Sequence, residues 1–253
     1  MKTCLEICCD SLDSVRAAVR GGADRIELCS ALTEGGITPS IGFVRTALRM
    51  SAIPIHVLIR PRGGDFLYSE QEWQCMIDDV HSLIDTGVHG VIIGGLLPGG
   101  EIDLEHTSQL VHAAEHLSVT FHRAFDMCSQ PESAIPQLAE MGVDRILTSG
   151  GASNALLGAY RIASWTMQFA GRIQFMPGCG VTSANVAEIL GITGATEIHA
   201  SAKKLQHSRM LYHQTNVKMG SADRDEYTRL MTDEAEVQRL AEILEAYEYN
   251  QEK

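Results

Sequence analysis

Apolar and polar positions alternate in short stretches that recur along the whole chain. Period-two alternation marks strands whose two faces differ. The pattern predicts strands over roughly 3–9, 24–29, 54–60, 89–94, 118–123, 144–149, 173–177 and 196–201. Longer amphipathic stretches separate them and predict helices near 11–20, 40–50, 70–86, 103–116, 131–141, 154–170, 183–190 and 233–247. Pro39 after Thr38 reads as a first helical residue behind its cap. Ser183 reads as the cap of the seventh helix.

A phrase repeats at the helix-to-strand junctions. Gly21-Gly22-Ala23-Asp24-Arg25-Ile26 returns as Thr86-Gly87-Val88-His89-Gly90-Val91. It returns again as Met141-Gly142-Val143-Asp144-Arg145-Ile146 and Thr193-Gly194-Ala195-Thr196-Glu197-Ile198. The glycine suits the left-handed residue that ends a helix. The copies are 65, 55 and 52 residues apart, about two βα units each. Four copies give eight strands, the number for a closed (β/α)8 TIM barrel. An open doubly wound sheet makes less sense of the even spacing, and its Gly-rich phosphate fingerprint after the first strand is missing. One domain over 1–253 is therefore expected, with an extended loop at about 202–231 before the last helix.

The strand parities differ in chemistry. Leu5, Ile7, Ile26, Leu28, Val57, Ile59 and Ile198 form the apolar set and are expected to face the helices. Glu6, Cys8, Arg25, Glu27, Cys29, His56, Arg60, Thr120, His122, Thr148, Glu197, His199 and Ser201 form the polar set and are expected inside. A barrel interior serving stability alone is filled by Val, Ile and Leu. Buried carboxylates need partners, so Glu6 and Glu27 are expected to meet Arg or His. Internal ion pairing is the competing explanation for any one of these residues; the ensemble points to a site at the carboxyl ends of the strands.

The loops behind the strands add candidates. Arg62 and Asp65 follow strand three, Arg123 and Asp126 follow strand five, Ser149 and Gly150 follow strand six, and Gly178 and Gly180 follow strand seven. The loops after strands seven and eight are the common phosphate site of this fold. With Ser201, these residues form an expected anion-binding rim.

Composition narrows the function. The 253 residues match the ~250 typical of one such barrel. Net charge is −12, which repels phosphate backbones and argues against nucleic acid. No apolar run approaches the ~20 residues of a membrane helix, and Glu6 interrupts any secretory signal, so a cytoplasmic protein is expected. The seven cysteines are scattered without zinc-ribbon spacing, which fits reduced thiols. Lysines stand only at 2, 203, 204, 218 and 253, so a Schiff-base or pyridoxal enzyme is disfavoured.

Several segments are specific enough to carry a resemblance. Leu5-Glu6-Ile7-Cys8, Gly21 to Cys29, Glu34-Gly35-Gly36-Ile37-Thr38-Pro39-Ser40, Ile59 to Phe66, Val119 to Met127 and Arg145 to Gly150 resemble the corresponding motifs of the CutC family. The resemblance runs from residue 4 to about 245. It implies a TIM barrel, a cytoplasmic homodimer or higher homo-oligomer, and a role in copper homeostasis. It also implies Cu(I) as the bound metal, with Cys8 and Cys29 as its ligands. Four positions depart from the family pattern: Cys179 stands for Gly or Ala, His213-Gln214 for Arg-Asn, and Ala200 for Ser or Cys.

Two functions follow as expectations. One is copper binding through the barrel thiols Cys8 and Cys29, since soft thiolates select Cu(I). The alternative is an enzyme acting on a small phosphorylated or carboxylated metabolite. In that alternative Glu6 or Glu27 is the general base, His122 or His199 the acid, and Arg60, Arg62 and Arg123 hold the anion. The partner in either case is a metal or small-molecule ligand.

Overall fold

A computed structural model describes residues 2–214, 216, 217, 219 and 225–251. Eight parallel strands alternate with eight helices in a nearly closed barrel. The strands are β1 (Cys4–Cys9), β2 (Arg25–Leu28), β3 (Ile55–Leu58), β4 (Gly90–Ile93), β5 (Ser118–Phe121), β6 (Arg145–Thr148), β7 (Gln174–Pro177) and β8 (Glu197–Ala200). The helices are α1 (Leu12–Arg20), α2 (Ile41–Met50), α3 (Glu70–Leu83), α4 (Leu104–Ala113), α5 (Pro131–Met141), α6 (Ala159–Gln168), α7 (Val186–Thr193) and α8 (Glu234–Gln251). The hydrogen-bonded order is β7-β6-β5-β4-β3-β2-β1-β8, with β8 returning to pair with β1.

The main core lies between barrel and helices. Leu5, Ile7, Ile26, Leu28, Val57, Ile59 and Ile198 all sit in it, fully buried. The opposite parity faces the barrel axis, where Cys8, Cys29, Leu58 and Ile92 form a separate small cluster. The strand register thus puts each chemical set on its expected side.

Two capping expectations are corrected. Helix α2 is capped by Ser40, whose hydroxyl accepts from the Phe43 amide. Thr38 is instead bonded to the backbone of Arg60, as donor and acceptor, and ties the approach to α2 onto the end of β3. Helix α7 begins after Asn185, three residues later than expected, and Ser183 binds the carboxylate of Glu236 on α8. The glycine shared by the four copies of the repeated phrase, Gly22, Gly87, Gly142 and Gly194, is left-handed in each, as expected.

The stretch at 202–231 is partly structured. An antiparallel hairpin, β9 (Lys203–His207) and β10 (Thr228–Thr232), leads directly into α8. The rest of the stretch includes Lys218 and other residues outside the described set, as is Lys253. Among the described residues, no helix is long and apolar enough to cross a membrane.

Candidate functional site

Every site residue on a strand is placed by the barrel's stagger. Within β1 and β2 the register pairs Glu6 with Arg25 and Cys8 with Glu27; across β1 and β8 it pairs Glu6 with His199. The interior therefore builds up in layers from the bottom of the barrel toward its carboxyl face.

The lower layer is an ion-pair network. Arg25 donates from Nε to Glu6 at 2.5 Å and from a terminal nitrogen to Glu197 at 2.5 Å, and Arg145 pairs with Glu197 at 2.9 Å. Glu6 is completely buried and also binds His199 Nδ1 at 2.8 Å. Burial alone would raise the Glu6 pKa. Arg25 and His199 outweigh it and hold the carboxyl well below its ordinary range. Burial pushes His56, beside this network, down to about 3, so it is a neutral ring.

The upper layer holds the thiols. The Cys8 thiol donates to Glu27 Oε1 at 3.0 Å and lies 3.7 Å from Cys29 Sγ. Donor atoms of Cys8, Glu27 and His199 lie within 4.8 Å of one another. Burial raises the Glu27 pKa, offset only in part by His199. Burial would lower His199, but Glu27 and Glu6 overcome it and raise its pKa. The Cys8 thiol is pushed well up, first by the Cys29 sulfur, then by burial and Glu27. Cys8, Glu27 and His199 on three neighbouring strands form a group that can hold a metal ion, with the Cys29 sulfur beside Cys8.

Above this layer opens a cavity of about 700 Å³. Cys8, Glu27, Arg60, His122 and His199 line it; Glu6 does not, because it lies a layer deeper. The two carboxylates thus occupy different layers, although Glu6 still adds to the rise in the Glu27 pKa behind burial. Glu6 orients His199, and Glu27 faces the opening.

The loop residues divide. Arg123, Gly180 and Ser201 line the cavity. Arg62 and Asp65 do not: Arg62 pairs with Asp65 at 3.0 Å and with Glu72 at 2.6 Å on the half-exposed outer side of the loop. Asp126 is occupied by the end of β6 and the loop behind it, accepting from Thr148 Oγ1 at 2.5 Å and from the amides of Ser149 and Gly151. Asp126, Ser149 and Gly150 therefore shape the loop from beneath instead of facing a ligand. At Gly178 an added Cβ would lie 2.5 Å from Leu147 and 3.2 Å from His199, so only glycine fits against these neighbours, while Gly180 two residues on stands at the cavity.

Sequence reasoning missed Asp233, Glu236 and Arg239 on the far rim, which Lys203 of the hairpin, just past strand eight, completes. No local motif marks these residues. It also missed Gly94, where a Cβ would lie 2.5 Å from the His122 ring. The glycine pair Gly94-Gly95 after the fourth strand was the available signal.

Comparison with known proteins follows from this geometry. The CutC family model matches residues 3–204. A CutC protein of Parabacteroides distasonis is 47% identical over 239 residues, covering 94% of this chain and 98% of its own. One from Vibrio cholerae is 44% identical over 248 residues, covering 97% and 98%. A crystal structure of CutC from Streptococcus agalactiae, provisionally described as a copper homeostasis protein, superposes with a TM-score of 0.74 at 32% identity, covering 78% of this chain and 97% of that one.

Proposed function

The chain belongs to the CutC family, and from that premise we propose that it is a copper homeostasis protein that binds Cu(I) at Cys8 and Cys29. The observation that supports this most is the 3.7 Å separation of two buried sulfurs on adjacent strands. Soft sulfur pairs select Cu(I) over harder ions. The thiol of Cys8 gives up its proton to solvent when the ion binds, since the thiolate is the ligand. His199, fixed by Glu6, and Glu27 have donor atoms within 4.8 Å of the Cys8 sulfur and support Cys8 as a ligand. Free thiols without a disulfide framework support a cytoplasmic location for this reading, and the family reading carries a homodimer or larger homo-oligomer, measurable by light scattering.

Anaerobic Cu(I) titration against a chromogenic chelator tests the proposal. One equivalent should bind tightly to the wild type and be lost in Cys8→Ser, Cys29→Ser. Retained stoichiometric binding by the double variant would put the ligands elsewhere.

A second reading, acid–base turnover of a small anion, is favoured by one observation. A carboxyl and two imidazoles, from Glu27, His199 and His122, line a cavity of about 700 Å³, within the size of ordinary small-molecule sites. Glu27→Gln should then abolish turnover of any substrate found by screening while leaving the fold intact.

A further inference from the structure

The cavity wall formed by β3 and β5 carries two features that the thiol site does not use. The first is a buried cation that makes no salt bridge with a carboxylate among the described residues. Arg60 is only 5% exposed, and its guanidinium donates to the carbonyls of Glu34, Gly36 and Gly64. Among the described residues it forms no ion pair with a carboxylate, and its Nε has no hydrogen-bond partner. Its near neighbours are the Phe66 ring, 4.9 Å from the guanidinium carbon, and the buried Tyr68 side chain, which carries no charge to balance it. Carbonyls satisfy hydrogens but supply no net charge, and an uncompensated buried charge is costly.

The second is an orphan donor. His122 is 5% exposed, and its Nδ1 accepts the Ala124 amide at 3.1 Å. Nδ1 is therefore the bare nitrogen and Nε2 carries the hydrogen. That Nε2 is buried with no partner. Burial, with the Arg60 cation beside it, holds the ring neutral, with a pKa of about 3. Gly94 leaves room for the imidazole, and Phe66 packs on it at 5.0 Å. Both Arg60 and His122 face the same cavity.

We propose that His122 and Arg60 form an oxyanion-binding pair that takes the carboxylate or phosphate group of a small organic anion. The anion supplies the charge that Arg60 lacks and the acceptor that His122 lacks. The body of the molecule lies along Phe66 toward Arg123 and the centre of the cavity, which has room for more than a single ion. Carboxylate and phosphate share the required chemistry, a delocalised anionic oxygen. The pair is built from β3 and β5, so it stands independently of the Cys8–Cys29 site and of whether the bound molecule is turned over.

The experiment is calorimetric titration of the full-length protein with inorganic phosphate and, separately, with succinate, against chloride at equal ionic strength. At least one oxyanion should bind saturably, with chloride giving no signal; the stronger of the two identifies the headgroup. His122→Asn keeps an acceptor for the Ala124 amide and removes the Nε2 donor. It should weaken binding at least about tenfold. Cys8→Ser, Cys29→Ser should bind the same anion within about twofold, so loss of copper binding and loss of anion binding are separable. In the wild type the His122 Nε2–H resonance should shift on saturation, which tests the contact without any variant. No oxyanion binding beyond chloride, a His122→Asn protein binding like the wild type, or an unmoved Nε2–H signal would each overturn the proposal.

Discussion

The two buried glutamates of the barrel should respond oppositely to the same substitution. Glu6→Gln preserves shape and removes a charge that Arg25 and His199 both need. Arg25 keeps Glu197 but loses its closest fully buried partner. Breaking a buried pair by removing one member costs ~3–5 kcal/mol. With an unfolding entropy of ~2.1 cal/mol/K per residue, that lowers Tm by ~6–9 °C for a chain this long. Glu27→Gln removes a carboxyl that burial disfavours in its charged form and whose hydrogen-bond partner is the Cys8 thiol. A glutamine oxygen still accepts from that thiol, so the change should stay within ~1 kcal/mol of wild type. The pH dependence separates the two further. Glu6 has a depressed folded pKa, so its contribution is present above its unfolded value of ~4.3 and is lost as pH falls toward the folded one. Glu27 has a raised folded pKa, so the wild type loses stability as pH rises above ~4.3, and Glu27→Gln does not. The assay is urea unfolding of both variants between pH 4 and pH 8. Equal losses, or a larger loss for Glu27→Gln that does not shrink with pH, would refute the layered electrostatics described here.

Gly94→Ala should destabilise by ~1–3 kcal/mol in chemical denaturation, because its Cβ would lie 2.5 Å from the His122 ring in a packed wall. Cu(I) binding near neutral pH should release at least one proton, from Cys8, seen as a difference in binding enthalpy between buffers of unlike ionisation heat. His106 stacks on Trp73 at 4.8 Å, and although burial lowers its pKa, the bond to Asp103 outweighs this and raises it. Its contribution should be fully present below the unfolded value of ~6.5 and disappear as pH rises through the folded one. Tryptophan fluorescence should report that titration, and His106→Gln should abolish it.

The architecture was legible because it is carried by periodicity. Alternation in β1, β2, β3 and β8 assigned Leu5 and Ile7 to the outer core and Glu6 and Cys8 to the axis before any coordinates, since a strand offers only two sides. The helix caps were less legible. Ser40 and Thr38 are both good capping residues two positions apart, and the choice was made by Arg60, whose backbone engages Thr38. The loop residues were least legible. Arg62 and Arg123 look alike in sequence, yet Glu72 on α3 turns the first outward while the second remains at the cavity.

The sequence by itself determined the (β/α)8 class, the family and the inward parity, because each is a property of spacing or of contiguous motifs. Only the tertiary structure decided the roles within that parity. Glu6 and Glu27 share a face and a residue type, but one meets Arg25 and His199 at the bottom of the barrel and the other meets a thiol at its mouth. Likewise Arg60 is one arginine among several in the chain, and only the fold buries it among carbonyls without a carboxylate. Charge state and ligand preference arise from neighbours brought together across strands, and strand spacing in the sequence carries no record of which neighbours those are.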